Sequence, residues 1–327
     1  NMAAYNETCA AIGNDYWNHR LFLLHGDAKY IDVMERTLYN GLISGVSLDG
    51  KSFFYPNPLE SAGQHQRSPW FGVACCPGNI TRFLASVPGY VYAHKGDALY
   101  VNLFAAGTAE IKMDNNRTVT LVQETRYPWD GAVKLTVQPG ASARFTINVR
   151  VPGWARNEPA PGDLYRFMDV SQEPVRLKVN GRPVPLKPAN GYAGLDRIWK
   201  KGDAIELQLP MPVRRVAAHE EVRAGRGRVA LQRGPIVYAA EWPDHPKGRV
   251  RNLLLPDDAR LTSEFRSDLL QGVQVIRGKA YALAHDAAGK VAGTEQEFMA
   301  IPYYAWANRA PGQMQVWLKE STDERRT

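Results

Sequence analysis

The spacing of apolar residues changes near residue 95 of this 327-residue chain, and that change restricts the fold more than any other feature. Before it, the period is helical. The stretch from Cys9 to Leu24 reads as one helix, with Gly26 as its C-terminal stop. Asp27 then caps a second helix whose apolar positions Tyr30, Val33, Met34, Thr37 and Leu38 fall at i, i+3, i+4, i+7 and i+8. Asp49-Gly50 joins two short apolar runs as a hairpin turn. A third helix is expected from Pro77, with Ile80, Phe83, Leu84 and Val87 on its buried face and Pro88-Gly89 as its stop.

After residue 95 the period becomes two. Strands are expected at 98–104, 118–125, 132–138, 143–151, 175–179, 204–209, 228–232, 235–240, 273–277, 279–284, 298–304 and 313–318. Lys95-Gly96-Asp97, Asn115-Asn116, Pro139-Gly140 and Asn180-Gly181 supply turns between them. Short strands at roughly ten-residue spacing predict antiparallel β-sandwiches. About 230 residues is large for one, so two are expected, 96–217 and 218–327, divided near Ala217–Glu221. Three helices in residues 1–95 are too few to close a helical barrel, and are expected to be the tail of a larger helical domain. The fold class is therefore α+β and multidomain.

Composition removes several classes of function. Apolar residues make up 44% and charged residues 22%, which is globular rather than disordered. Forty basic against 33 acidic side chains leave +7, but the charge is scattered; Arg214-Arg215 and Arg325-Arg326 are only pairs. Nucleic acid is not an expected partner. No apolar run reaches the length of a membrane span, so a membrane is not expected either. The opening Asn1-Met2-Ala3-Ala4-Tyr5 has no signal-peptide pattern and reads as starting mid-protein, which leaves cytoplasm and periplasm both open.

All three cysteines lie in the first quarter of the chain: Cys9, Cys75 and Cys76. An odd number with two adjacent is a poor disulfide framework. Together with Glu7 they offer three sulfurs and a carboxylate, a plausible tetrahedral zinc set. Glu7 and Cys9 are two residues apart, so they share a face only in extended backbone or at a helix end. The tandem pair precedes Pro77, at the positive end of a helix dipole that favours thiolate. Inert core thiols and an unliganded nucleophile are the competing readings. His19 and His25 are six apart and read as surface or capping residues. Trp70 and Phe71 suit either a sugar-facing wall or a core, while Tyr303, Tyr304 and Trp306 suit a core better than a stacking platform. Gly225-Arg226-Gly227 lacks the lysine and helix of a phosphate loop and reads as a turn.

Longer segments carry a resemblance. Tyr5-Asn6-Glu7-Thr8-Cys9-Ala10-Ala11-Ile12-Gly13-Asn14, Glu35-Arg36-Thr37-Leu38-Tyr39-Asn40-Gly41 and Trp70-Phe71-Gly72-Val73-Ala74-Cys75-Cys76-Pro77-Gly78-Asn79 resemble bacterial β-L-arabinofuranosidases of glycoside hydrolase family 127 and its relatives such as family 146. The likeness extends through Leu231-Gln232-Arg233-Gly234-Pro235-Ile236-Val237-Tyr238 and 301–308, and covers about the C-terminal half of a typical member. It implies the end of an (α/α)6 barrel followed by β-sandwich domains. It also implies Zn2+ held by Glu7, Cys9, Cys75 and Cys76, with Cys75 as the nucleophile of a retaining double displacement through a glycosyl-thioether.

Glu35 and Tyr55 match positions associated with the furanose hydroxyls, and His65 lies in the loop leading to the nucleophile, where it would meet sugar. The implied partner is an arabinose-containing oligosaccharide or plant glycan, and a homodimer is an open expectation. The family's acid/base glutamate lies upstream of the Glu-x-Cys segment, so the 327-residue chain alone is expected not to turn over arabinofuranosides. The alternative is a non-catalytic carbohydrate-binding or structural β-sandwich protein with a structural zinc site.

Overall fold

A computed structural model describes residues 5–114, 116–246, 249–285 and 291–320. Asn115 of one expected turn and the Arg325-Arg326 pair lie outside them. Helix α1 spans Thr8–His25, and Gly26 ends it in the left-handed conformation at φ 65°, its N–H bonding Phe22 O at 2.7 Å. Helix α2 spans Ala28–Thr37, and the Asp27 side chain accepts from Lys29 N as expected. It continues without a break into a π-helical turn, Leu38–Leu42, and a 3-10 turn, Ile43–Gly45. Its buried face is Ala28, Ile31, Asp32, Met34 and Glu35 rather than the Tyr30/Val33 face expected from periodicity. Two carboxylates displace the pattern because an arginine waits for them.

Helix α3 spans Cys75–Ser86, so the tandem cysteines form its first turn two residues before the expected start. Pro88 does not end the helical run. It opens a short helix α4, Pro88–Val91, where its missing N–H is no loss. Ile12 of α1, Leu42, and Ile80 and Phe83 of α3 form one buried group. Among the described residues no helix is long and apolar enough to cross a membrane.

Two sheets follow. One runs Tyr192–Trp199, Ala143–Arg150, Ala98–Val101, Tyr92–Lys95; the other runs Arg182–Pro183, Arg176–Val179, Asp203–Gln208, Ala132–Pro139, Thr118–Thr125, Gly107–Lys112. Val119, Leu121, Leu135, Val137 and Ile205 of the second meet Leu99, Val101, Phe145, Ile147 and Val149 of the first in one apolar core. The alternation that puts these residues on one face is the period of two seen in the sequence. Asn180 and Gly181 both take positive φ at the hairpin between Arg176–Val179 and Arg182–Pro183. The pairing is not purely antiparallel as expected: Ala98–Val101 lies parallel to Ala143–Arg150.

The remaining described strands are joined by hydrogen bonds into one eleven-stranded sheet. Val213–Ala218 runs across the expected division and pairs with Tyr165–Phe167. Glu60–Ala62, from the helical part, pairs with Gln313–Gln315. The two strands expected at 273–277 and 279–284 are one, Val273–His285, paired with Val291–Pro302. Gly278 is no turn there. A Cβ would sit 2.8 Å from Leu261 Cδ2 and 2.9 Å from Arg260 O, so the glycine permits a close backbone approach.

Candidate active site and metal centre

Residues 6–8 and 55–57 pair across a short antiparallel contact. Thr8 N bonds Tyr55 O at 3.0 Å, Asn57 N bonds Asn6 O at 2.8 Å, and Glu7 sits opposite Pro56. Glu7 is therefore extended (φ −67°, ψ 136°) at the N-cap of α1, and its side chain does not cap the helix. Cys9 follows in the first helical turn. This is the extended, helix-end geometry that two residues two apart need to share a face. Thr8 is buried and fixes the joint: its Oγ1 donates to Phe54 O at 2.8 Å and accepts from Asn57 Nδ2 at 2.9 Å. Ser44 Oγ donates to Asn57 Oδ1 at 2.7 Å from the opposite side.

Helix α3 brings the tandem thiols to that joint. Cys9 Sγ lies 3.4 Å from Cys76 Sγ, Cys75 Sγ 3.6 Å from Cys76 Sγ, and Cys75 Sγ 3.6 Å from Glu7 Oε1. The four donor atoms all fall within 4.8 Å of one another. A tetrahedral zinc with Zn–S bonds of about 2.3 Å separates its sulfurs by about 3.8 Å, so the donor set fits the ion the sequence suggested. Glu7, Cys9, Cys75 and Cys76, named from rare residue types, are thus brought together.

The thiols differ in environment. Cys76 is fully buried, whereas Cys9 and Cys75 are half-buried. Burial pushes the Cys9 and Cys76 thiols up, opposed at Cys9 by a hydrogen bond from the Asn79 amide. Cys75 is held below the usual thiol range, chiefly by the Tyr55 hydroxyl 3.3 Å from its Sγ. The same contact, with burial, pushes the Tyr55 phenol up. Tyr55 also meets Phe71 edge-on at 5.5 Å and Tyr5 at 6.2 Å. Cys75 therefore faces an aromatic rim, and the cluster's buried sulfur lies behind it.

The other candidates separate. Tyr55 is at the site, touching the Cys75 sulfur. Glu35 is not: it is fully buried, accepting from Tyr127 OH at 2.6 Å and Trp154 Nε1 at 3.1 Å, and it pairs with Arg150. Its expected contact with furanose hydroxyls is corrected, because every approach to its carboxylate is occupied by protein. His65 hydrogen-bonds Ser61 Oγ at 3.0 Å through Nδ1, and its ring lies 6.5 Å from that of Trp306. Trp70 is largely exposed beside Phe71. Tyr303 and Trp306 are buried, as their core reading required. His19 packs on Tyr90 and His25 on Tyr30. Sequence reasoning passed over Asn79, although it lies three and four residues beyond the tandem cysteines and so on their helical face.

Comparison with known proteins identifies a family. Residues 1–89 match the β-L-arabinofuranosidase GH127 catalytic domain, 98–211 the GH127 middle domain and 213–319 the glycoside hydrolase family 127 C-terminal domain. A non-reducing end β-L-arabinofuranosidase of Bifidobacterium longum is 35% identical over 97% of this chain and 49% of its own length. A solved GH127 β-arabinofuranosidase superposes with a TM-score of 0.95 at 51% identity, over 98% of this chain and 50% of that one. A GH127 β-L-arabinofuranosidase from Geobacillus stearothermophilus T6 gives 0.88 at 42% identity, over 98% and 51%. From three consecutive domain matches and these likenesses, the chain belongs to glycoside hydrolase family 127 and spans about half the length of the relatives it matches.

Proposed function

We propose that this chain carries the nucleophile of a retaining glycoside hydrolase that releases β-L-arabinofuranose, or a closely related sugar, from plant glycans. One observation carries the reading: Cys75 is the half-buried thiol that faces the aromatic rim, while its neighbours Glu7, Cys9 and Cys76 crowd its other side. In this reading residues 1–95 complete an (α/α)6 barrel, and 96–217 and 218–327 are β-sandwich domains. Supporting it are the three family matches, whose bounds fall near those divisions.

Glu7, Cys9, Cys75 and Cys76 would hold Zn2+, which when bound supplies the positive charge that keeps coordinating thiols deprotonated at neutral pH. With Cys75 ionised, the Tyr55 hydroxyl is placed to donate a hydrogen bond to its sulfur and set its direction. The Cys75 lone pair forms a bond to the anomeric carbon while the glycosidic C–O bond breaks. The departing oxygen takes a proton from a carboxylic acid, which the family resemblance assigns to a glutamate upstream of Glu7. Water then attacks the same carbon, gives up its proton to the resulting carboxylate, and the C–S electron pair returns to sulfur. Tyr5, Tyr55 and Phe71 provide apolar faces against which a furanose ring can lie.

The test is alkylation. Iodoacetamide should modify Cys75 ahead of Cys9 and Cys76, as mapped by peptide mass spectrometry, and L-arabinose should slow it. Three equally inert thiols would instead mark a purely structural zinc site and end the catalytic reading.

A further inference from the structure

Asn79 stands in α3 between the cysteine cluster and solvent. Its Oδ1 receives a hydrogen bond from Nη2 of the exposed Arg82, and its Nδ2 donates to Cys9 Sγ at 3.0 Å. A guanidinium can only donate, so the amide oxygen must be the atom turned toward Arg82. The amide nitrogen is thereby turned the other way, and it too can only donate. The sulfur facing it must accept, and a thiolate accepts far better than a thiol. Cys9, Asn79 and Arg82 thus form a one-way relay along one face of the helix, each polarity fixed by the next. Its neighbours within the cluster are the other sulfurs, Cys76 Sγ at 3.4 Å among them, so the Asn79 amide is the nitrogen donor recorded on Cys9 among the described residues.

We propose that Asn79, oriented by Arg82, is a positioning residue that, by donating a hydrogen bond to the Cys9 sulfur, holds it as a thiolate ligand for the metal. The inference rests on the zinc reading of the Glu7–Cys9–Cys75–Cys76 cluster. Partners that orient metal ligands in this way are worth about 10–100-fold in affinity. The decisive variant is Asn79→Asp, which keeps the shape and replaces the donor with an acceptor. Asn79→Ala removes the contact, and Arg82→Ala, at an exposed position, releases the amide without touching the cluster.

Zinc affinity is measured by competition with a chromogenic chelator. It should fall about 10–100-fold in Asn79→Ala, at least as far in Asn79→Asp, and less in Arg82→Ala. In the cobalt-loaded chain the sulfur-to-metal charge-transfer absorption should shift in both Asn79 variants, whereas the urea midpoint of the metal-free Asn79→Asp chain should stay at the wild-type value. Wild-type affinity and an unshifted spectrum in all three variants would overturn the proposal. A wild-type chain that takes up no zinc would overturn the reading beneath it, a failure visible before any variant is made.

Discussion

At the scale of single residues, chemistry is concentrated where rare side chains meet. The three cysteines and Glu7 could be named from sequence because their types are uncommon and two are adjacent. Their meeting depends on one backbone detail, the extended N-cap at Glu7, which leaves that carboxylate free to face Cys75. Glu7→Ala or Cys9→Ala should therefore lower the zinc retained after dialysis, measured by elemental analysis; stoichiometric zinc in either variant would remove the assignment. Glu35 shows why such naming fails elsewhere. Its meaning is set by Arg150, 115 positions away, and no local pattern announces a partner at that distance. Asn79 was hidden for the opposite reason: an asparagine in a helix is unremarked until its neighbour at i+3 is seen to fix its amide.

Among elements, the ends of α1 and α2 follow from Gly26 and Asp27, whose backbone and side-chain preferences are strong and local. The π-helical turn after α2 has no such signal, yet it delivers Gly45 against Thr8. A Cβ at Gly45 would lie 2.5 Å from Thr8 Cγ2 and 2.6 Å from its Oγ1. Gly45→Ala should destabilise the chain by about 1–3 kcal/mol in urea unfolding, since Thr8 is itself held by Phe54 and Asn57 and has nowhere to move. An unchanged midpoint would show that the joint can yield. Strands were legible where alternation is clean, as in Thr118–Thr125. Tyr192–Trp199 was not anticipated, because Gly194, Asp196 and Arg197 interrupt its apolar pattern while the backbone still pairs along all eight residues with Ala143–Arg150.

For the whole molecule, the order of sheets could not be read from the sequence, because pairing between distant strands leaves no mark in either one alone. The helical part is instead locked to the sheets by buried charge. Arg150, fully buried, donates from Nη1 to Asp32 at 2.6 Å and from Nε to Asn102 O at 2.5 Å, and it also pairs with Glu35. Removing one member leaves the others charged and dry. Arg150→Leu should cost about 3–5 kcal/mol in chemical denaturation, far more than a surface ion pair would. A loss under 1 kcal/mol would mean that water enters to replace the guanidinium.

The short strand Glu60–Ala62 has a temporal consequence. Its partner, Gln313–Gln315, emerges from the ribosome some 250 residues later, so this pairing cannot form until synthesis has passed that strand. A polypeptide cut short before Gln313 would possess every sulfur and the carboxylate, yet lack the clasp that holds their approach in place. Synthesis through Gln315 thereby becomes a precondition for closing that clasp.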